Sequence, residues 1–224
     1  MSTQEPSSTR SPLDDFQILV VPGRGNSGTH HWQTHLESEL VDARRVVQID
    51  WLRPRLDVWS QRVAQSIERS DKPVLIVAHS FGCLASVAAS LAPDLPVAGA
   101  LLAAPADPGR FNIDEDTLAG RLPFPSTLVL SRDDPWLDFE VGRRLGARWG
   151  ARIVDVGHAG HINVDSGFGP WPLAHSLLKE MAAAAEPTAA SLRAAWLSAR
   201  AKRAVPAPPS RARRGRPRTS PRRG

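Results

Sequence analysis

The sequence has little cysteine, no tyrosine and no long apolar run in its 224 residues. Because a disulfide needs two cysteines, the single Cys83 excludes an internal disulfide framework and fits a reducing compartment. No apolar segment approaches the ~18 residues that a membrane-spanning helix requires. The polar, Ser/Pro-rich start of the chain also lacks the apolar stretch of a secretory signal. These absences predict a soluble, cytoplasmic protein without membrane contact.

Acidic residues are absent from the last part of the chain. Residues 187–224 hold eleven Arg and Lys residues and no Asp or Glu, whereas residues 1–186 hold 17 basic and 23 acidic residues. The Ala, Pro, Ser and Arg composition of this tail cannot bury enough apolar surface to offset the entropy of ordering. We expect 187–224 to be a disordered basic tail, in which 191–203 could form a short helix. Such a tail has either no partner or a weak polyanion contact.

Short apolar runs alternate with longer amphipathic segments between the tail and a polar leader at 1–15, which we expect to be disordered. Strands are predicted at 16–21, 46–49, 74–78, 97–104, 127–131 and 151–156, and helices at 30–41, 56–70, 81–92, 137–150 and 171–185. Strands that alternate with helices form parallel sheets with right-handed crossovers. The sequence therefore predicts one α/β domain over 16–186, a three-layer sandwich. Its mostly parallel sheet has about six strands, with helices on both faces.

The stretch VLIVAHSFGC at 74–83 places a serine where a buried strand meets a helix. Ser80 would then project from the carboxyl edge of the sheet, where open α/β folds bind ligands. Ala78 and Gly82 flank it as in the nucleophile-elbow pattern G-x-S-x-G, with Ala in place of the first Gly. The same five residues also fit an ordinary strand–turn–helix in which the serine is an N-cap. His79 is adjacent to the serine, so its side chain is expected to point away from it.

A serine hydroxyl needs a base and an orienting acid before it acts as a nucleophile. The segments SRDDPW at 131–136 and GHAGHIN at 157–163 each follow a further predicted strand. Because parallel strands end at the same edge of the sheet, both loops reach the edge that carries Ser80. Three strand ends therefore supply a hydroxyl, carboxylates and imidazoles in the order that hydrolases use.

Within these two loops, the choice of base and acid has alternatives. His161 is favoured as the base over His158, because the preceding glycine lets the loop bring the imidazole close to the serine. Asp134 is favoured as the acid over Asp133, because it stands in an Asp-Pro pair as in many α/β-hydrolases. The sequence thus predicts a triad of Ser80, Asp134 and His161.

Backbone amides are the expected donors to an oxyanion. The amide of Phe81 follows the serine at the start of a helix, a position that favours negative charge. The loop PGRGNSG at 22–28 follows the first strand, and we expect the N–H of Arg24 or Gly25 to be the second donor. A dinucleotide site is the minor alternative for this glycine-rich loop.

Trp51, Trp136 and Trp171 fall near strand ends or loops at the same edge, and are predicted to form substrate-binding walls. Ordinary packing is an equal alternative for each of them.

His31 and His35 are four residues apart on a predicted helix but lack a carboxylate or cysteine partner at recognisable spacing. We therefore expect no metal and no organic cofactor.

Four segments together carry a resemblance: VVPGRGNSGTHHWQ, VAHSFGC, SRDDPWLDFE and AGHINVDSGFGPWP. Over about residues 16–182 they resemble the small serine hydrolases related to retinoblastoma-binding protein 9 and bacterial YdeN. The resemblance implies an abbreviated α/β-hydrolase with Ser80 as nucleophile, Asp134 as acid and His161 as base. It implies a carboxylesterase-like serine hydrolase that cleaves a small ester or amide through an acyl-enzyme.

The competing hypothesis is a catalytically weak protein that keeps the fold and serves as an interaction module, because the family name reflects a reported binding partner. A third hypothesis gives the basic tail its own polyanion-binding role. The connection at 105–126 is too short for a large lid domain, which favours a small and fairly open site.

Overall fold

The computed structural model describes residues 11–91 and 95–204. Its six strands are β1 (Gln17–Val21), β2 (Ala43–Arg45), β3 (Val74–Ser80), β4 (Val97–Pro105), β5 (Ser126–Leu130) and β6 (Arg152–Asp155). They form one sheet in the order β2-β1-β3-β4-β5-β6, and every neighbouring pair is parallel. All strands therefore end at the same edge, as a parallel sheet requires.

Helices cover both faces of the sheet. They are α1 (Trp32–Glu39), α2 (Leu56–Glu68), α3 (Phe81–Ser90), α4 (Phe139–Trp149) and α5 (Pro172–Ala204). One apolar core lies between the sheet and α2, α3 and α4, and a second lies between the sheet and α1 and α5. The predicted three-layer α/β sandwich is confirmed.

The central strand β3 shows why its sequence is continuously apolar. Ile76 and Ala78 pack into the core beneath α2, α3 and α4, while Leu75 and Val77 pack into the core beneath α1 and α5. All four side chains are fully buried. A strand buried on both faces needs apolar residues at every position, and this burial fixes β3 in the middle of the sheet.

The second predicted strand is wrong in position. It was expected at 46–49, but β2 is Ala43–Arg45, where Ala43 pairs with Ile18 of β1. Val47 and Ile49 are 67% and 72% exposed, so the apolar run lies in the loop that follows the strand.

Both predicted domain boundaries also need correction. A short 3-10 helix, Pro12–Asp15, is capped by Ser11 and buries Leu13, so this part of the expected leader is ordered. Helix α5 continues to Ala204, so 187–204 is helical rather than disordered. Residues 1–10 and 205–224, the rest of the predicted leader and tail, lie outside the described residues. In the described part of the chain, none of the helices combines the length and apolar character needed to cross a bilayer.

Candidate active site

The turn between β3 and α3 holds Ser80 in an unusual backbone conformation. Its φ is 54° and its ψ −127°, a region that residues other than glycine rarely adopt. A Cβ on Gly82 would lie 2.3 Å from the carbonyl oxygen of Val21, and one on Gly23 would lie 2.5 Å from the Cβ of Ser80. The absence of side chains at these two glycines therefore lets β1, its following loop and the turn approach closely.

Ser80 begins a continuous chain of three hydrogen-bonding groups. Its Oγ lies 3.0 Å from Nε2 of His161, and Nδ1 of His161 lies 2.9 Å from both carboxylate oxygens of Asp134. Because a carboxylate only accepts, Nδ1 carries the proton, and Nε2 is left to accept from the serine hydroxyl. The side chains of His161 and Asp134 are 9% and 2% exposed. The arrangement therefore allows a proton to pass from the serine hydroxyl to an imidazole that is largely shielded from solvent.

Asp133 is not part of this series of hydrogen bonds and instead stabilises the loop that carries His161. Its Oδ1 accepts hydrogen bonds from Ser131 Oγ and from the backbone N–H of Gly160, each at 2.8 Å. The Ser131 hydroxyl, followed by the Gly160 N–H, holds the pKa of Asp133 below its usual range. The side chain of His158 is 75% exposed, and its Nδ1 lies 3.8 Å from the carboxylate of Asp133. The structure thus brings Asp134 and His161 together with Ser80, and leaves Asp133 and His158 aside.

Three side chains to which the sequence assigned no role hold the backbone around His161. Nε2 of His79 donates to the carbonyl oxygen of His161 at 2.9 Å. The indole of Trp32 donates to the carbonyl of Ile162 at 2.9 Å, and Ser166 Oγ accepts from the N–H of His161 at 3.0 Å. His79 and Trp32 are far from His161 along the chain, so the sequence pattern does not predict these contacts. His79 stands out in the sequence only because it precedes Ser80. The backbone of His161 and Ile162 is therefore held by side chains at three of its polar groups.

The two loop amides proposed as oxyanion donors are not equivalent. The N–H of Gly25 already donates to the carbonyl of Trp51 at 2.9 Å, which leaves Arg24 as the free one of the two predicted alternatives. The N–H of Arg24 has no acceptor among the described residues. The N–H of Phe81 is at the first position of α3 and has no acceptor within the helix. Phe81 and Arg24 remain as candidate donors.

A cavity of about 370 Å³ opens onto Ser80 and His161, within the range of roughly 300–1,000 Å³ of small-molecule sites. The lining combines apolar and polar side chains. The apolar ones are Leu52, Ala106, Phe111 and Trp136, and the polar ones include Arg24, Asn26, His31, Asn163 and Asp165.

Of the three predicted tryptophan walls, Trp136 alone is part of this cavity lining. Its ring is 6.2 Å from that of His161 and is 44% exposed. Trp51 instead packs edge-on against Trp59 at 5.5 Å, and Trp171 packs against Trp32 at 5.0 Å. Neither Trp51 nor Trp171 lines the cavity, so the packing alternative accounts for these two rings rather than the predicted substrate wall.

Known structures share this fold. An α/β-hydrolase-fold protein from Burkholderia ambifaria superimposes with a TM-score of 0.52 at 13% identity, covering 66% of this chain and 84% of its own. The ydeN gene product of Bacillus subtilis superimposes with a TM-score of 0.63 at 23% identity, covering 74% of this chain and 98% of its own. The fold is thus that of the α/β-hydrolases.

Sequence comparisons identify the family. The family model for serine hydrolases matches residues 18–180, so the chain belongs to the serine hydrolase family. The YdeN protein of B. subtilis, which carries a hydrolase designation, is 24% identical over 181 residues, covering 72% of this chain and 94% of its own length. A YdeN-like protein from Pectobacterium atrosepticum is 33% identical with a TM-score of 0.74, covering 78% of this chain and 94% of its own. The expected kinship with YdeN-like serine hydrolases is confirmed, and the chain is a hydrolase.

Proposed function

We propose that this hydrolase cleaves small carboxylic esters through an acyl-enzyme formed on Ser80, with His161 as the base and Asp134 as the acid. The observation that supports this most is the hydrogen-bonded chain from Asp134 through His161 to Ser80, with distances of 2.9 and 3.0 Å. No metal or organic cofactor takes part in the proposed reaction.

The reaction proceeds in two halves. Nε2 of His161 takes the proton of Ser80 as Oγ bonds to the ester carbonyl carbon, and Asp134 stabilises the imidazolium. The N–H groups of Phe81 and Arg24 hold the resulting oxyanion. The imidazolium then gives its proton to the leaving alcohol oxygen, which departs as the acyl–oxygen bond breaks. Water repeats the sequence on the acyl-enzyme, which releases the carboxylic acid and restores the serine.

The size and openness of the site support a small substrate. The cavity volume of about 370 Å³ is near the lower end of small-molecule sites. The 105–126 connection contains two short 3-10 helices, Pro108–Phe111 and Glu115–Leu118, which are too short to form a large lid. Esters are proposed rather than amides because they need less stabilisation of the leaving group.

Turnover of p-nitrophenyl acetate and butyrate by the full chain tests this function. Ser80→Ala is expected to reduce kcat by at least about 10³-fold, because the remaining site lacks a nucleophile. Ser38→Ala, which removes an exposed hydroxyl that bonds only the carbonyl of His35 on α1, serves as the control and is expected to keep full activity. Equal turnover in Ser80→Ala and the unchanged chain would exclude Ser80. Wild-type turnover at the buffer rate would favour the interaction module instead.

A further inference from the structure

His31 is a buried histidine in the wall of the active-site cavity that the proposed reaction does not use. It precedes α1 and caps that helix, since its Nδ1 accepts the backbone N–H of Gln33 at 3.2 Å. The residue is 5% exposed, and it lines the same cavity as Ser80. The small accessible part of its ring therefore faces the space that a substrate would occupy.

The cap bond fixes which nitrogen of the His31 ring carries the proton. Because Nδ1 accepts from Gln33, the neutral ring must be protonated at Nε2. No described residue accepts a hydrogen bond from this Nε2. The atom is not one of the fully buried polar atoms without a partner, so it keeps some accessible surface. Burial, with smaller contributions from the Arg45 and His161 charges, lowers the pKa of His31 to about 4. His31 is thus a neutral ring with an unused N–H donor.

The surroundings of His31 hold this donor in place. The ring meets that of His79 edge-on at 4.9 Å and lies 5.6 Å from that of Trp32. The ring of His79 in turn lies 4.8 Å from that of His161, so the His79 ring contacts both His31 and the proposed base. A donor held by packing loses little conformational freedom when a ligand binds, which favours selective recognition.

We propose that His31 is a specificity-determining residue that donates its Nε2–H to an oxygen of the bound ester other than the scissile carbonyl oxygen. The inference rests on the proposed function and deepens it by naming a substrate class. These substrates are small esters that carry an additional acceptor oxygen, such as an ether, hydroxyl or keto oxygen, on the acyl or the alcohol side. A buried donor left unpaired by an all-carbon chain disfavours the analogue that lacks the oxygen.

Two pairs of nearly isosteric esters isolate this contact. p-Nitrophenyl methoxyacetate and p-nitrophenyl butyrate differ by one oxygen for one methylene on the acyl side. 2-Methoxyethyl acetate and butyl acetate differ in the same way on the alcohol side. The ratio of kcat/KM within a pair, compared between variants, cancels the intrinsic reactivity of each ester.

Two substitutions separate the capping role of His31 from its donor role. In His31→Asn the side-chain oxygen can replace Nδ1 as the cap acceptor, but no group reaches the position of Nε2. In His31→Gln the amide reaches the position of Nε2 but is a poor cap. His30→Asn, at the exposed neighbouring residue, is the matched control.

The expected result is a crossed pattern. His31→Asn melts at a higher temperature than His31→Gln because it keeps the cap, but it loses about five- to tenfold of the preference for the oxygen-containing ester in one pair, as expected for one hydrogen bond. His31→Gln melts at a lower temperature but retains most of that preference, and His30→Asn changes neither. Unchanged ratios in both pairs for His31→Asn, at any melting temperature, would show that His31 is only a cap and overturn the proposal.

The failure of the proposed function has a different signature. In that case the wild-type chain hydrolyses none of the four esters and forms no fluorophosphonate adduct, and the role of His31 is rejected together with the esterase. Wild-type turnover with selectivity that is insensitive to His31 rejects the role of His31 alone.

Discussion

Ser80 has a strained backbone conformation and lines the active-site cavity, which is the pattern expected at a nucleophile. Its φ of 54° costs of order 1–3 kcal/mol for a residue other than glycine, and the packing of β3 against α3 maintains it. In this conformation Oγ lies 3.0 Å from Nε2 of His161 at the end of the sheet. A serine that served only as an N-cap would bond a backbone N–H of α3, and Ser80 makes no such side-chain bond. The capping alternative is therefore not what the structure shows.

The two neighbouring aspartates provide a matched test at the residue scale. Asp134→Asn is expected to lower kcat by on the order of 10³–10⁴-fold, because the amide can stabilise neither the correct tautomer nor the imidazolium of His161. In Asp133→Asn the amide oxygen can still accept from Ser131 and Gly160, so kcat should change by no more than about threefold. Steady-state kinetics on p-nitrophenyl butyrate decides between them. A larger loss in Asp133→Asn than in Asp134→Asn would reverse the assignment.

Residue roles could be predicted only in part from the sequence. Ser80, His161 and Asp134 were selected because each follows a strand, and strand ends in a parallel sheet meet at one edge. The unavailability of the Gly25 amide could not be predicted, because it depends on the carbonyl of Trp51, a contact between two loops. Spacing along the chain carries no information about such contacts.

Among the elements, the turn from β3 to α3 depends on the missing side chain of Gly82. A Cβ there would lie 2.3 Å and 2.6 Å from the carbonyl oxygens of Val21 and Pro22, which are backbone atoms and cannot rotate away. We expect Gly82→Ala to lower the free energy of unfolding by about 1–3 kcal/mol and to reduce activity, because the turn must move away from β1.

Gly28→Ala is the control for this prediction. A Cβ on Gly28 would meet no atom within 4 Å, so its free energy of unfolding should be unchanged or slightly raised. Urea unfolding monitored by tryptophan fluorescence measures both variants. Equal stability of Gly82→Ala and the unchanged chain would contradict the close approach described above.

The elements that sequence patterns misplace are those set by distant contacts. Strand β2 is short and lies at the sheet edge, and Arg45 at its end forms an ion pair of 2.6 Å with Glu37. Its position depends on pairing with β1, whereas the apolar run after it suggested a buried strand. Helix α5 continues past Pro187, where proline and the change in composition suggested an end. The alanine-rich sequence on both sides of this proline has high helix propensity, which favours continuation.

For the whole molecule, the charge is divided between the hydrolase domain and the end of the chain. Residues 205–224, beyond α5, contain seven Arg residues and no acidic residue, and a polyanion contact by this segment remains a proposal. We expect the full chain to elute from heparin at higher salt than a chain ending at Ala204, because each neutralised anionic group releases counterions. Ester turnover should be the same for both. Elution of both chains at one salt concentration would exclude polyanion binding by this segment.

The most direct measurement of the central claim is the site of covalent modification by a fluorophosphonate, determined by intact-mass and peptide mass spectrometry. The phosphorus is attacked by an activated serine oxygen and fluoride leaves, so one molecule of probe should attach to each chain. The chain of contacts from Asp134 to Ser80 predicts a single adduct on Ser80, absent in Ser80→Ala and formed much more slowly in His161→Gln. An unmodified wild-type chain, or an adduct on a different residue that persists in Ser80→Ala, would contradict the account.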